Sequence, residues 1–505
     1  MSEPSTHRPA LIIVRPAPEM QLKSSPTRRR FRNILMRNIR AALGGIPHEL
    51  TVDQGRLLLH TTEIDAAGRS LERVFGVASY SPVDVVVPEP DIDSLREAAR
   101  AHFTEVVRGR TYAVRCKRHA GPRLSQREVE RQVGAALDGP GRVDLGDPEV
   151  ELRIDLTDQG AWLFGRRFPG PGGVPLGVQD RALALISGGF DSPVAAWYTM
   201  RRGVGVDHVF CNLGGATHEN MVLQVAHRLA ERWAPGDRPR LFVVDFLPVV
   251  ADMRDRLPGE VWQVVLKRLM YRAAEALARE RRAQALVTGE ALSQVSSQTL
   301  SNLNSIDSAS GLPVLRPLIG FDKSEILSLA RRIGTYDLCE GVPEFCALSN
   351  SKPLVSSRRG RIEAEEAKLD AGLLEQAIRE AREIDLFGMD RAALVEPDVL
   401  IDEIPAGAEV IDCQPPRRYR DWHLPGAANI PPDEFARRFR DFPTDRHYVL
   451  YCLRGANAPL LAERMQRAGF HAHALRGGVA RLRRAWERGD VSVVGEVGDE
   501  TVAGD

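Results

Sequence analysis

The sequence predicts a multidomain chain of α/β and α+β class, organised around a doubly wound parallel sheet. Three observations carry that expectation. From Arg181 onward, short apolar runs at 181–186, 206–211, 240–245 and 284–288 alternate with helical stretches, the pattern of parallel βαβ units. A Pro/Gly-rich segment, Phe168-Pro-Gly-Pro-Gly-Gly-Val-Pro-Leu-Gly177, interrupts the chain just before them and marks a domain boundary. A length of 505 residues also exceeds what one hydrophobic core organises, so roughly three or four domains are expected.

The elements follow from pattern and punctuation. Leu11-Ile-Ile-Val14 reads as a strand, 28–43 as a basic amphipathic helix, and 60–87 as strand, helix around 71–75, and strand. A second α+β unit follows: helix 92–107, strand 111–116, helix 125–137 and strands 150–156 and 162–164. Ser125 with Glu128 three residues later has the spacing of a helix-starting capping box. Residues 363–387 read as one charged helix closing the central domain. Beyond Val399 a further α/β unit is expected: strands 409–412 and 448–452, helix 459–468 and strand 473–475. The expected divisions are 1–60, 61–168, a linker 169–178, 179–388, a linker 389–403, 404–488 and a mobile acidic tail 489–505.

Composition narrows the function classes. Acids and bases balance at 68 each, yet residues 21–40 carry seven Lys/Arg and no acid: Lys23, Arg28, Arg29, Arg30, Arg32, Arg37 and Arg40. Residues 108–123 carry six more without an acid: Arg108, Arg110, Arg115, Lys117, Arg118 and Arg123. Such stretches suit a polyanion partner, or else two solvated faces. Six scattered cysteines with no C-x-x-C pair argue against a disulfide scaffold and a bound metal cluster. No apolar run reaches membrane-spanning length and no leader-like start is present, so a cytoplasmic protein is expected.

Chemistry concentrates at four places. Ser187-Gly-Gly-Phe-Asp-Ser192 lies between an apolar strand and a helix opened by Pro193. Its glycines let backbone N–H groups approach an anion, and the helix N-terminus adds positive potential, which makes a pyrophosphate cradle distinct from a Walker A loop. Thr288-Gly-Glu290 ends a strand, where Gly289 permits close backbone approach, and Lys323 supplies a cation for phosphate. Cys452, in Leu450-Tyr-Cys-Leu-Arg-Gly455, ends an apolar strand before a helix, where backbone N–H groups stabilise thiolate or persulfide charge and Arg454 assists. A buried inert thiol fits the same pattern. Cys346, in Val342-Pro-Glu-Phe-Cys346, has no distinctive surroundings of its own, and Cys116 and Cys413 have only a structural reading.

Together these motifs resemble, in order and over nearly the whole chain, the tRNA 4-thiouridine synthase (tRNA uracil-4 sulfurtransferase) family in its long form. The resemblance implies an N-terminal ferredoxin-like domain plus a THUMP domain that grip tRNA. It further implies a doubly wound PP-loop ATP pyrophosphatase domain and a C-terminal rhodanese domain. Nucleotide contacts fall to Leu185, Ile186, Ser187, Gly188, Gly189, Ser192, Lys267, Gly289 and Gln298, with Asp191 and Lys323 needed for adenylation. Cys452 corresponds to the persulfide carrier and Cys346 to its disulfide partner. Lys23, Arg28, Arg29, Arg30, Arg32, Arg115, Lys117 and Arg118 are the expected tRNA contacts.

ATP with Mg²⁺, tRNA carrying the target uridine at position 8, and a PLP-dependent cysteine desulfurase are the implied cofactors and partners. A sulfur-carrier protein of thiazole synthesis is a further implied partner. Two positions depart from the usual rhodanese pattern: Cys413 follows Asp412 where Arg is common, and Ala458 stands where a hydroxyl is common. Alternatives are a sulfur carrier acting mainly in thiazole synthesis and an RNA-binding protein with an inactive nucleotide domain.

Overall fold

The computed structural model describes residues 10–121, 123–340, 342, 352–388, 399–453 and 457–488. They fold as two compact units. The first ends at Gln179 and also takes in Met200–Val204 and Trp233–Asp237, and the second holds the remainder.

The first unit contains two five-stranded sheets. One is antiparallel in the order Phe168–Pro169, Val77–Pro82, Ala10–Pro16, Arg56–Thr61, His48–Asp53. Ile12 and Val14 pack under Phe31, Leu35 and Ile39 of the basic helix Ser25–Leu43. Leu11 and Ile13 emerge on the opposite face and meet Trp162 and Phe164. A strand covered on both faces needs an unbroken apolar run rather than an alternating one, which is why Leu11-Ile-Ile-Val14 reads as it does. The second sheet runs Val85–Val87, Gly160–Phe164, Val150–Thr157, Thr111–Arg118, Arg142–Val143. Helices Ile92–Val107 and Gln126–Leu137 bury Leu95, Phe103, Val129 and Val133 with its strands. Ser125 caps the latter helix by accepting from the Glu128 backbone N–H at 3.4 Å.

Two expected divisions shift here. The first module does not stop at residue 60, because Ile64–Leu71 and Val77–Pro82 complete it, the latter pairing directly with Ala10–Pro16. The segment 169–178 is not a free linker either. Phe168–Pro169 extends the first sheet, and Val174 and Val178 are buried in its core.

The central sheet has six strands in the order Val314–Leu315, Leu286–Val287, Gln179–Leu185, Val204–Asn212, Arg240–Asp245, Arg382–Asp385. Strand order reverses between Gln179–Leu185 and Leu286–Val287, whose pairing is parallel. A doubly wound sheet opens its ligand crevice at the carboxyl ends flanking such a reversal. Residues 363–387 form no single helix. Helices Arg359–Glu366 and Ala371–Arg379 are separated by Asp370, whose carboxylate caps the second, and Arg382–Asp385 is an antiparallel edge strand. Arg240 holds that edge through Asp385 at 2.9 Å, so charge that reads as a helix face serves a strand pair.

The last sheet is parallel, ordered Leu400–Ile401, His471–Leu475, His447–Tyr451, Glu409–Asp412, Ala428–Asn429. Val399 lies in its core, so this module begins before the expected residue 404. The expected tail 489–505 and most of the expected linker 389–403 lie outside the described residues. Among the described residues no helix is long and apolar enough to cross a membrane.

The first unit is pinned by one buried arginine. Arg56 donates to Asp155 at 2.5 Å and to Asp53 at 2.7 Å, with its guanidinium 5.3 Å from the centre of the Trp162 ring. Arg56→Ala leaves the Asp155 carboxylate buried without this partner, and the expected loss is about 3 kcal/mol. Urea unfolding followed by amide exchange in residues 10–164 checks this. The double variant Arg56→Met/Asp155→Leu is expected to recover most of the loss, and an unchanged single variant would contradict the assignment.

Candidate functional site

The crevice is built from the backbone outward. Gln179–Leu185 delivers buried Ile186, then the loop 187–190, then the helix Asp191–Arg201. Gly188 adopts φ +81°, and a Cβ there would come within 2.8 Å of the Val342 side chain. Ser187 donates its N–H to Ser192 Oγ at 3.3 Å, which folds the loop back on the first helical turn. Gly289 is the tightest point: a Cβ would lie 2.6 Å from the Asp191 carbonyl carbon and 2.7 Å from the Ser192 nitrogen. No side chain other than hydrogen fits there, so the end of Leu286–Val287 abuts the loop.

Charges converge on this loop from distant sequence. Lys323 Nζ lies 2.9 and 3.1 Å from the two Asp191 carboxylate oxygens, and Gln294 Nε2 donates to the same group at 3.1 Å. The ammonium also sits 5.7 Å from the Phe190 ring centre. Lys323 opens the helix Lys323–Ile333, which Asp322 and Glu325 cap reciprocally. Gln298 is buried, and its Oε1, like that of Gln294, has no hydrogen-bond partner among the described residues. A buried acceptor left in that state is a position where an N–H donor of a ligand gains most.

Glu290 is the functional group that the sequence reading left without a role. It follows Gly289 and accepts from Lys267 at 2.8 Å, Arg316 at 2.8 Å, the Tyr271 hydroxyl at 2.7 Å and the Thr288 hydroxyl at 3.1 Å. Burial alone would raise its pKa, but the Lys267 and Arg316 charges outweigh that and hold it at about 2. Burial, with Glu290 adding to it, pushes the Tyr271 hydroxyl up, so it remains a donor. Lys267 therefore reaches the strand end through Glu290. The signal in the sequence was an acid placed directly after a strand-ending glycine.

In the last module, Cys452 follows the strand His447–Tyr451 and is buried. Its Sγ accepts from the Ala458 backbone N–H at 3.4 Å, the first turn of the helix Asn457–Arg467. That contact needs no hydroxyl at position 458, so the alanine departure leaves it intact. Cys413 is buried at the end of the neighbouring strand, and burial and the nearby Cys452 push its thiol up. Cys116 and Cys339 are buried and pushed up to about 12, which keeps them as inert thiols. Cys346, Arg454 and Gly455 lie outside the described residues.

The basic stretches divide by face. Lys23, Arg28, Arg29 and Arg30 are exposed and Arg32 is half-buried; Arg30 is also tied to the Val178 carbonyl at 3.2 Å. On the strand Thr111–Arg118, Arg115 and Lys117 share a face while Arg118 points to the other. Arg115 and Lys117 line a cleft of 430 Å³ together with Arg15, Arg153 and Arg167, three cations that the sequence reading did not select. Burial, and Arg167 after it, lowers Arg15 to about 10, with Asp155 acting in the opposite sense.

Comparison with known proteins agrees with this layout. Family models match in succession: ThiI ferredoxin-like domain at 11–81, THUMP domain at 89–165, Thiamine biosynthesis protein (ThiI) at 177–371 and rhodanese-like domain at 396–485. The tRNA sulfurtransferase of Pyrobaculum aerophilum is 38% identical over 475 residues, spanning 92% of this chain and 96% of that protein. That of Azotobacter vinelandii is 37% identical over 491 residues, with 92% and 98% covered. A crystal structure of a 4-thiouridine synthetase–RNA complex with bound ATP matches with TM-score 0.66 and 30% identity, covering 74% of this chain and 99% of that one. PH1313 from Pyrococcus horikoshii shares the fold, with TM-score 0.51 at 24% identity over 64% of this chain and 99% of that one. With identity at this level along almost its whole length, the chain belongs to the tRNA sulfurtransferase family and is a sulfur-transferring enzyme.

Proposed function

We propose that the chain uses ATP to adenylate the O4 oxygen of a tRNA uridine, at position 8, and replaces that oxygen with sulfur carried on Cys452. The observation that carries this reading is the convergence of Ser187, Gly188, Gly189, Ser192, Gly289 and the Asp191–Lys323 pair on one crevice. Leu185 and Ile186 carry the chain into it, Lys267 acts through Glu290, and the unpartnered Gln298 oxygen suits the amino group of adenine. The C4 carbonyl of uracil has no leaving group. Attack of O4 on the α-phosphorus expels pyrophosphate and converts that oxygen into part of a departing AMP. Lys323 and the loop N–H groups meet the charge that develops on phosphate. Mg²⁺ bound with ATP supplies charge neutralisation on the phosphates.

The terminal sulfur of a Cys452 persulfide then attacks C4 and AMP leaves. Cys346 attacks the Cys452 sulfur, releasing the thiolated base and closing a Cys346–Cys452 disulfide that an external dithiol reduces. A PLP-dependent cysteine desulfurase is the proposed sulfur source, and a tRNA substrate suits a cytoplasmic reaction. A second duty, sulfur supply to a carrier protein for thiazole synthesis, draws support from the thiamine biosynthesis model matched at 177–371.

The test is thiolation of a tRNA transcript with desulfurase, cysteine and ATP, read by near-ultraviolet absorbance. Cys452→Ser should abolish product while pyrophosphate release persists, and Lys323→Ala should slow pyrophosphate release about a hundredfold. Thiolation by Cys452→Ser at the unmodified rate would end this reading.

RNA is expected to bind by shape and phosphate contacts, at Lys23, Arg28, Arg29, Arg30 and Arg32, at the cleft of Arg15, Arg115 and Lys117, and at Arg118 on the other face of that strand. Affinity should fall steeply with salt, and Arg115→Ala/Lys117→Ala should reduce the slope of log K against log salt by about 2. A slope that stays the same in this double variant would place the phosphates elsewhere.

A further inference from the structure

The strand His447–Tyr451 begins with a histidine, and the adjacent parallel strand His471–Leu475 carries two, at its first and third residues. Register pairs His447 with His471, and Val449 with His473. Alternation along a strand places His471 and His473 on one face. His447 joins them across the strand pair. Its Nε2 lies 2.7 Å from His473 Nδ1, and its ring stacks on that of His471 with centroids 3.8 Å apart. One nitrogen from each of the three rings falls within 4.8 Å of the others. His471 is exposed and the other two are half-buried, so solvent reaches the group. The adjacent Arg446 is paired with Glu409, which offsets its charge.

We infer that His447, His471 and His473 form a site for a divalent transition-metal ion, with zinc as the probe of choice. Three imidazole nitrogens and no carboxylate select zinc, copper, nickel or cobalt over magnesium or calcium. Zinc–nitrogen bonds of about 2.0–2.1 Å in tetrahedral geometry place the ligand nitrogens about 3.3 Å apart. The His447–His473 separation of 2.7 Å is shorter than that value and has to open by about 0.6 Å, while all three nitrogens already lie within 4.8 Å of one another and exposed His471 can adjust. Three protein ligands leave one position open to water or to a ligand from another molecule. The site is separate from Cys452, which lies just past the far end of the strand, five residues and about 16 Å on from His447. A bound ion would clamp two adjoining strands of the last sheet at the end remote from Cys452. The scattered cysteines speak only to metal held by clustered thiolates, and histidines brought together by strand pairing lie outside that argument.

The test uses the full chain, freed of metal with a chelator and kept reduced. Titration with Co²⁺ should give visible d–d bands of a nitrogen-ligated tetrahedral ion without the near-ultraviolet bands of thiolate ligation, and Zn²⁺ should displace it at one ion per chain. Competition with a chromophoric chelator should show at least tenfold weaker Zn²⁺ binding for His471→Gln and for His473→Gln. His102→Gln, on a helix of the first unit, should match the unmodified chain. His471 is exposed, so its replacement spares the core. Unchanged Zn²⁺ affinity in His471→Gln and His473→Gln, or a cobalt spectrum dominated by thiolate bands, would overturn the assignment.

Discussion

The close approach of Gly289 to the Asp191–Ser192 backbone is the constraint on which the rest of the crevice depends. It joins the ends of two strands that lie side by side only because strand order reverses there. With a side chain at 289 the two ends would separate, since the atoms a Cβ would strike are backbone. Everything that converges on the loop 187–190 presupposes this contact. Glu290 is the next residue, so its cations are positioned by the same approach. Lys323 and Gln294 then close on Asp191 from segments more than a hundred residues away.

The electrostatics of the chain follow one rule in the crevice and the opposite rule in the basic cleft of the first unit. Around Glu290 the charges are matched: Lys267 and Arg316 against Glu290 and Asp307, with Tyr271 and Thr288 completing the hydrogen bonds. A buried acid so surrounded stays ionised and rigid, which preorganises the strand end. In the 430 Å³ cleft cations outnumber acids. Arg115 and Arg153 share Glu151 and Arg56 takes Asp155, while Arg15, Lys117 and Arg167 add three further charges. Such a surface carries a repulsive cost in isolation that a polyphosphate partner relieves.

Most of the fold was legible because local pattern and tertiary role agree. The helix Ile92–Val107 and the strand Arg240–Asp245 sit where periodicity places them. The failures have specific causes. Residues 363–387 carry charge at helical spacing, yet Asp370 caps a new helix and Arg382–Asp385 finds its partner strand more than 130 residues away. The Pro/Gly segment 169–178 has a linker's composition, but its valines fill a core whose other walls lie far upstream. At the site, the loop 187–190 between a strand and a helix and the place of Cys452 after a strand are local patterns, and their positions could be read. Glu290, Arg15 and the three histidines acquire meaning only through partners distant in sequence, and no window along the chain contains that information.

One helix connects the two chemistries of the second unit. Asn457–Arg467 places the Ala458 N–H against the Cys452 sulfur in its first turn. Five residues on, about 7.5 Å along the axis, its Glu463 accepts from the backbone N–H groups of Ala216 and Thr217 at 2.8 and 2.9 Å. Those groups open the helix Gly215–Trp233, directly after the strand Val204–Asn212 that neighbours the phosphate-loop strand. A carboxylate at a helix N-terminus is stabilised both by the N–H donors and by the dipole, each such charge-assisted bond contributing about 1.5–3 kcal/mol. Arg467 braces Glu463 at 2.8 Å, and Gly215 at φ +80° leaves the space they occupy, since a Cβ there would meet both side chains. The module that holds Cys452 is therefore attached at the same end of the central sheet as the loop 187–190, through a polar joint. A polar joint of a few bonds fixes orientation without the permanence of a large apolar seam, which would suit the sulfur relay proposed for Cys452.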